Sequence, residues 1–182
     1  MSTSPNSLAD LSRLEPLRND TLQVVIETPR GSRNKYAYDG ERRCFQLKKV
    51  LPAGMVFPYD FGFVPGTKGG DGDELDALVL MDEPGFPGCV VAVRPIGIIL
   101  GENTDLDGKT YRNDRLITVA MASEAYAGVE QVRDMPTEHL RRLEAFFESY
   151  PRLLGDKEYR VLGTEGPEPA KRLIEEARKA AE

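Results

Sequence analysis

Gly70-Asp71-Gly72-Asp73-Glu74-Leu75-Asp76 runs directly into Ala77-Leu78-Val79-Leu80-Met81. The second half is a short continuous apolar run bounded by Gly, Asp and Pro, the pattern of a strand buried on both faces. Runs of the same kind recur through the first two-thirds of the chain. They cover residues 22–26 (LQVVI), 44–47 after a turn at Asp39-Gly40, 89–93, 96–100 and 115–121, with Arg94-Pro95 splitting the third from the fourth. Helical spacing appears only later. Leu140, Leu143, Phe147 and Tyr150 recur along residues 136–150, with Asp134 placed to cap the start and Pro151 to end the helix. Residues 170–181 form a second amphipathic segment, with Leu173, Ile174 and Ala177 on one face and Glu175 and Lys179 spaced to pair. Strands first and helices last predict an α+β fold, mainly β: a small closed barrel with helices packed on it, two of them near the C-terminus.

The chain has 182 residues, 40% hydrophobic and 30% charged, which suits one folded domain without disulfide or zinc staples. Residues 1–20 are polar, carry Pro5 and Pro16, and read as an N-terminal extension to a single domain over residues 21–182. They lack the basic start and apolar middle of a signal peptide, and no apolar stretch is long enough for a membrane helix. A cytoplasmic location is the expectation. Twenty-four basic against thirty acidic residues give a net charge of −6, which argues against a nucleic-acid partner. With one histidine, His139, a His-rich zinc site is hard to build. Cys44 and Cys89 fall in strand-like runs and read as small buried hydrophobes.

The acidic half of the opening stretch carries the chemistry. Four carboxylates in six residues repel one another and call for a cation. Carboxylates without His or Cys select a hard ion such as Mg²⁺, Mn²⁺ or Ca²⁺. An EF-hand loop starting at Asp71 would need Gly at its sixth position and Glu at its twelfth, where the chain has Asp76 and Asp82, so that reading fails. A solvated acidic turn is the bland alternative. Against it stand the other charged segments: Glu27, then a Gly/Ser turn with Arg30, Arg33 and Lys35; a second acidic loop from Glu102 through Asp105, Asp107 and Lys109; and Asn113-Asp114-Arg115. Carboxylates that hold metals, interleaved with cations that hold phosphate oxygens, make a phosphoryl-transfer site.

These segments, in this order, resemble the soluble inorganic pyrophosphatases of the first family. The resemblance is carried by Asp71-Gly72-Asp73-Glu74-Leu75-Asp76, by residues 26–36 (IETPRGSRNKY) and 57–65 (FPYDFGFVP), by Arg94-Pro95-Ile96-Gly97, and by residues 134–150. It implies a five-stranded, OB-like closed β-barrel with flanking helices. It also implies Mg²⁺ dependence with Mn²⁺ as a substitute, hydrolysis of pyrophosphate to two phosphates, and a homo-oligomer, commonly a hexamer in bacteria. By position, Asp71 and Asp76 are expected to bind metal, Asp73 to be the base for the attacking water, and Glu27 to support the metal–water network. Lys35 and Tyr150 are expected to bind substrate phosphate. The family's second acidic loop fits in two ways: Glu102, Asp107 and Lys109 reproduce its spacing, or Asn113-Asp114-Arg115 occupies its place before the next strand. The first makes Glu102 and Asp107 metal ligands and Lys109 a phosphate ligand; the second assigns those roles to Asp114 and Arg115. Four positions depart from the family pattern: Ala37 for a glutamate, Lys49 for a phosphate-binding arginine, Phe61 for a tyrosine and Pro151 for a lysine. Ala37, Phe61 and Pro151 motivate the alternative reading, a non-catalytic or altered-specificity diphosphate binder on the same fold.

Overall fold

A computed structural model describes residues 10–182; residues 1–9, the first part of the expected extension, lie outside the described residues. The strands are β1 (Leu17–Arg18), β2 (Thr21–Thr28), β3 (Asn34–Asp39), β4 (Cys44–Val50), β5 (Asp60–Val64), β6 (Leu75–Leu80), β7 (Val90–Thr104), β8 (Thr110–Arg112) and β9 (Arg115–Ala120). Helix α1 (Thr137–Leu153), strand β10 (Glu158–Glu165) and helix α2 (Pro167–Ala181) follow. The fold is mainly β with two α-helices. Strands β2, β5, β6, β9 and β7 are hydrogen-bonded in that order, and β2 also pairs with β7, so the five form a ring. Strands β3 and β4 make a separate two-stranded sheet.

The continuous apolar runs are explained by burial on both sides of the ring. In β6, Ala77 and Val79 pack into one cluster with Val24, Ile26, Leu116 and the α2 residues Ala170, Ile174 and Ala177. The alternate residues Leu78 and Leu80 pack into the other, with Phe57, Phe61, Ile117 and the α1 residues Leu143, Phe146, Phe147 and Tyr150. Period two along a strand sends neighbours to opposite faces, and here both faces are covered.

Several expectations are corrected. Arg94-Pro95 does not split two strands: β7 is one strand of 15 residues. Its pairing with β9 shifts register between Pro95 and Gly97, the kind of irregularity that tolerates a residue without an N–H. Pro151 does not end α1; it lies inside the last turn, buried, where only one helical hydrogen bond is lost. Asp134 caps the short 3-10 turn Val132–Asp134, accepting from the N–H groups of Glu130 and Gln131, while Pro136 is the N-cap of α1. On α2, Glu175 pairs with Arg178 rather than Lys179. Cys44 is exposed at the start of β4, because the outer sheet has one open face, and Cys89 is half-buried. Residues 10–20 of the expected extension join the fold. Strand β1 pairs with β2 through a two-residue turn at Asn19 and Asp20, both with positive φ (50° and 59°), and the Leu11 N–H donates to the Tyr38 hydroxyl at 3.1 Å.

Candidate active site

Strand pairing assembles the site. Strands β6 and β9 run parallel with Asp76 opposite Arg115, so a carboxylate at the mouth of one strand meets a guanidinium at the mouth of the next. Arg115 Nε donates to Asp76 Oδ2 at 3.4 Å. Arg115 is only 4% exposed, and its guanidinium packs against the rings of Phe147 and Tyr159, 4.1 and 3.9 Å from their centroids. On the outer sheet, Lys35 of β3 is directly opposite Lys49 of β4. Like charges facing across strands repel, an arrangement that suits an anion between them. Lys49 makes an ion pair with Asp156, from the turn after α1.

A cavity of about 260 Å³ unites these pieces. Asp71, Asp73 and Asp76 line it together with Lys35, Lys49, Arg115, Lys157 and Tyr150. A neighbouring cavity of about 350 Å³ adds Glu27, Phe61 and Glu74 to Lys35, Asp73 and Asp76. The aspartate turn is held in place: Asp71 Oδ1 accepts from the Asp73 N–H at 3.2 Å, and Asp71 Oδ2 accepts from Asn113 Nδ2 at 2.5 Å.

The electrostatics are those of crowded acids and buried bases. Burial raises the Asp73 carboxyl above its ordinary range, and Asp71 and Asp76 push it further. Burial carries Glu27 up to about 7, against the lowering effects of the Tyr38 N–H, which donates to it at 2.7 Å, and of Lys35. Burial also raises the Tyr150 phenol, but Lys35 and Arg115 outweigh it and hold the group below its usual value. Among the described residues, no three acidic, cysteine or histidine side chains are gathered closely enough to form a metal cage as they stand. The donors nonetheless fit a hard divalent cation. They are all oxygen, they share cavities, and their mutual repulsion is the penalty that a cation removes.

The later acidic loop is divided by strand alternation. Strand β7 pairs Glu102 with Arg112 of β8 and Arg160 of β10, and Asn103 with Tyr111 and Tyr159. Glu102 accepts from Arg160 Nη2 at 2.5 Å and does not line the cavity, whereas Asn103 does. Asp107 is exposed at the hairpin tip, where it accepts from the Lys109 N–H. Lys109 lines a third cavity, about 340 Å³, with Asp71, Asp73, Tyr111 and Lys157. Asp114 accepts from the Gly101 N–H and from Arg112 beside a small cleft lined by Asp71 and Asp76. Thus Arg115 and Asn113 reach the main cavity, Asp114 flanks it, and Glu102 and Asp107 stay outside. Sequence reasoning misses Asn103, Asp156 and Lys157. Asn103 is legible only through the alternation that turns Glu102 outward. Asp156 and Lys157 sit in a turn with no local pattern.

Comparison with known proteins follows the same lines. The family model described as inorganic pyrophosphatase matches residues 24–182. The chain is 38% identical to the inorganic pyrophosphatase of Synechocystis, over 92% of this chain and 96% of that one. It is 39% identical to that of Methanosarcina acetivorans, over 85% and 89%. The crystal structure of inorganic pyrophosphatase from Thermus thermophilus superposes with a TM-score of 0.87 at 32% identity, covering 95% of this chain and 99% of that one.

Proposed function

This chain belongs to the inorganic pyrophosphatase family, and we propose that it hydrolyses inorganic pyrophosphate to two phosphates at the cavity between the aspartate turn and the paired lysines. The observation that carries this reading is the cavity's composition: three aspartates, Asp71, Asp73 and Asp76, share one cavity with Lys35, Lys49, Arg115 and Tyr150. Asp71 and Asp76, with Glu27 and Asp114 at the flanks, would hold a hard divalent cation, Mg²⁺ or its substitute Mn²⁺. Such a cation neutralises phosphate charge and lowers the pKa of a bound water.

The chain's own residues do the rest. Asp73 is held above the usual carboxylate range by partial desolvation and by Asp71 and Asp76, which suits a group that takes a proton from the attacking water. Lys35 and Lys49 hold phosphate oxygens, and their mutual repulsion is relieved when an anion lies between them. Arg115, packed against two rings and hydrogen-bonded to Asp76, presents a guanidinium whose position is fixed. Arg115 at the cavity supports placing the family's later loop at Asn113-Asp114-Arg115.

The reading is tested by phosphate release from pyrophosphate with Mg²⁺, with EDTA, and after restoring Mg²⁺. Activity that needs the ion and vanishes in Asp73→Asn is the expected result; full activity after exhaustive chelation refutes it. A second reading, binding without turnover, draws on Ala37 and Pro151, two apolar residues in the cavity wall. It predicts pyrophosphate binding with no phosphate release. The ring of five strands is read as the family's closed OB-like barrel, supported by the pairing of β2 with both β5 and β7. A homo-hexamer is the state that the resemblance suggests, and a cytoplasmic location is the reading drawn from the N-terminal sequence.

A further inference from the structure

Among the described residues, buried side-chain N and O atoms without a hydrogen-bond partner are confined to one place. Four side-chain N or O atoms among the described residues are buried with no partner: Asn103 Nδ2 and Oδ1, Asn113 Oδ1 and Arg115 Nη1. All three residues line the cavity that holds the aspartates and the paired lysines. Asn103 is 1% exposed and comes from the middle of the β7 pairings, with Tyr111 on one side and Tyr159 on the other. An unpaired buried amide costs stability, and an apolar side chain of similar shape would avoid the cost. A polar group kept at that cost in a ligand cavity points to the ligand.

The four atoms also specify the chemistry. Asn103 Nδ2 and Arg115 Nη1 are donors; Asn103 Oδ1 and Asn113 Oδ1 are acceptors. Two donors suit phosphate oxygens. Two acceptors want a proton, which a phosphate group carries at neutral pH and a sulfate does not. We propose that Asn103, together with Arg115 and Asn113, contacts one phosphate group directly through side-chain hydrogen bonds and favours its protonated form. Arg115 and Asn113 keep their other hydrogen bonds to Asp76 and Asp71, so the phosphate group lies beside the aspartate turn that is left to bind the cation. The inference rests on the reading of the cavity as a phosphate site.

The test compares wild type with Asn103→Leu and Asn103→Ala, at saturating Mg²⁺, by calorimetric titration with orthophosphate and with sulfate. Both variants lose the Asn103 donor and acceptor together and are expected to bind orthophosphate at least about tenfold more weakly, and to lose wild type's preference for orthophosphate over sulfate. Ligand-free Asn103→Leu is expected to melt no lower than wild type, because an orphan amide has been removed; a merely structural amide would give a lower melting point with unchanged binding. Asn103→Ala, the smaller side chain, keeps the comparison decisive if Leu does not fit. Unchanged affinity and preference in both variants, in a wild type that releases phosphate from pyrophosphate, overturns this inference alone. A wild type that neither hydrolyses pyrophosphate nor binds orthophosphate overturns the hydrolase reading and this inference with it.

Discussion

Asp73, Lys35 and Phe61 line one cavity of the proposed site, and each can be changed by a few atoms. Asp73→Asn keeps the shape and removes the proton acceptor. Turnover should vanish, while Mn²⁺ binding measured by electron paramagnetic resonance persists through Asp71 and Asp76; wild-type turnover in this variant would remove Asp73 from its role. Lys35 faces Lys49 across the outer sheet, and its ammonium lies 5.2 Å from the centre of the Phe61 ring. Lys35→Ala should lower kcat/KM by roughly 2–3 kcal/mol, the size of one charge-assisted contact; steady-state kinetics would show it. Phe61 is 1% exposed and lines the cavity that contains Asp73, Glu27 and Lys35. Phe61→Tyr adds one oxygen to a ring of the same shape and should raise kcat. These three positions stand out in the chain itself, through the acidic cluster and the family resemblance. The tie between Lys49 and Asp156 does not, because the two are brought together only by the turn after α1.

At the scale of the element, close approach of strands sets the tolerances. A Cβ on Gly62 of β5 would lie 1.9 Å from the Val25 carbonyl oxygen and 2.9 Å from the Ile26 Cα, at the point where the β2–β5 register shifts. Backbone, unlike a flexible side chain, cannot swing aside. Gly62→Ala should therefore destabilise by at least about 3 kcal/mol, measured by urea unfolding. Asp60, at the start of the same strand, is 1% exposed; burial raises its carboxyl above the usual value even though it accepts from the Gly85 N–H at 3.0 Å. A raised folded-state pKa means that the folded protein disfavours the ionised form. The cost is absent below the unfolded carboxylate value, where both states are protonated, and is present in full once the pH has passed the folded value. Asp60→Asn keeps the acceptor for Gly85 and should melt higher than wild type at about pH 7, with the difference closing by about pH 3. Strand β7 carries the same lesson for reading sequence. Pro95 reads as a boundary because a proline lacks a donor; beside a register shift the strand continues past it.

For the whole molecule, repulsion among the aspartates should make stability depend on the cation. A ligand that binds only the folded chain raises the melting temperature with its concentration. Mg²⁺ should do so in wild type and much less in Asp76→Asn, read by differential scanning calorimetry; equal shifts in both would place the ion elsewhere. Much of the whole is legible from the chain alone. Continuous apolar runs with no polar alternation suit strands covered on both faces, and an all-oxygen acidic turn beside cations suits a hard metal and an anion. These are local properties, written in consecutive residues. Partnership across the fold is not local. Which of the two placements of the later acidic loop enters the cavity depends on the parallel register of Asp76 with Arg115 and on the alternation that turns Glu102 out and Asn103 in. One residue of slip reverses every such assignment, and only the paired strands, closed into a ring by β2 and β7, fix that register.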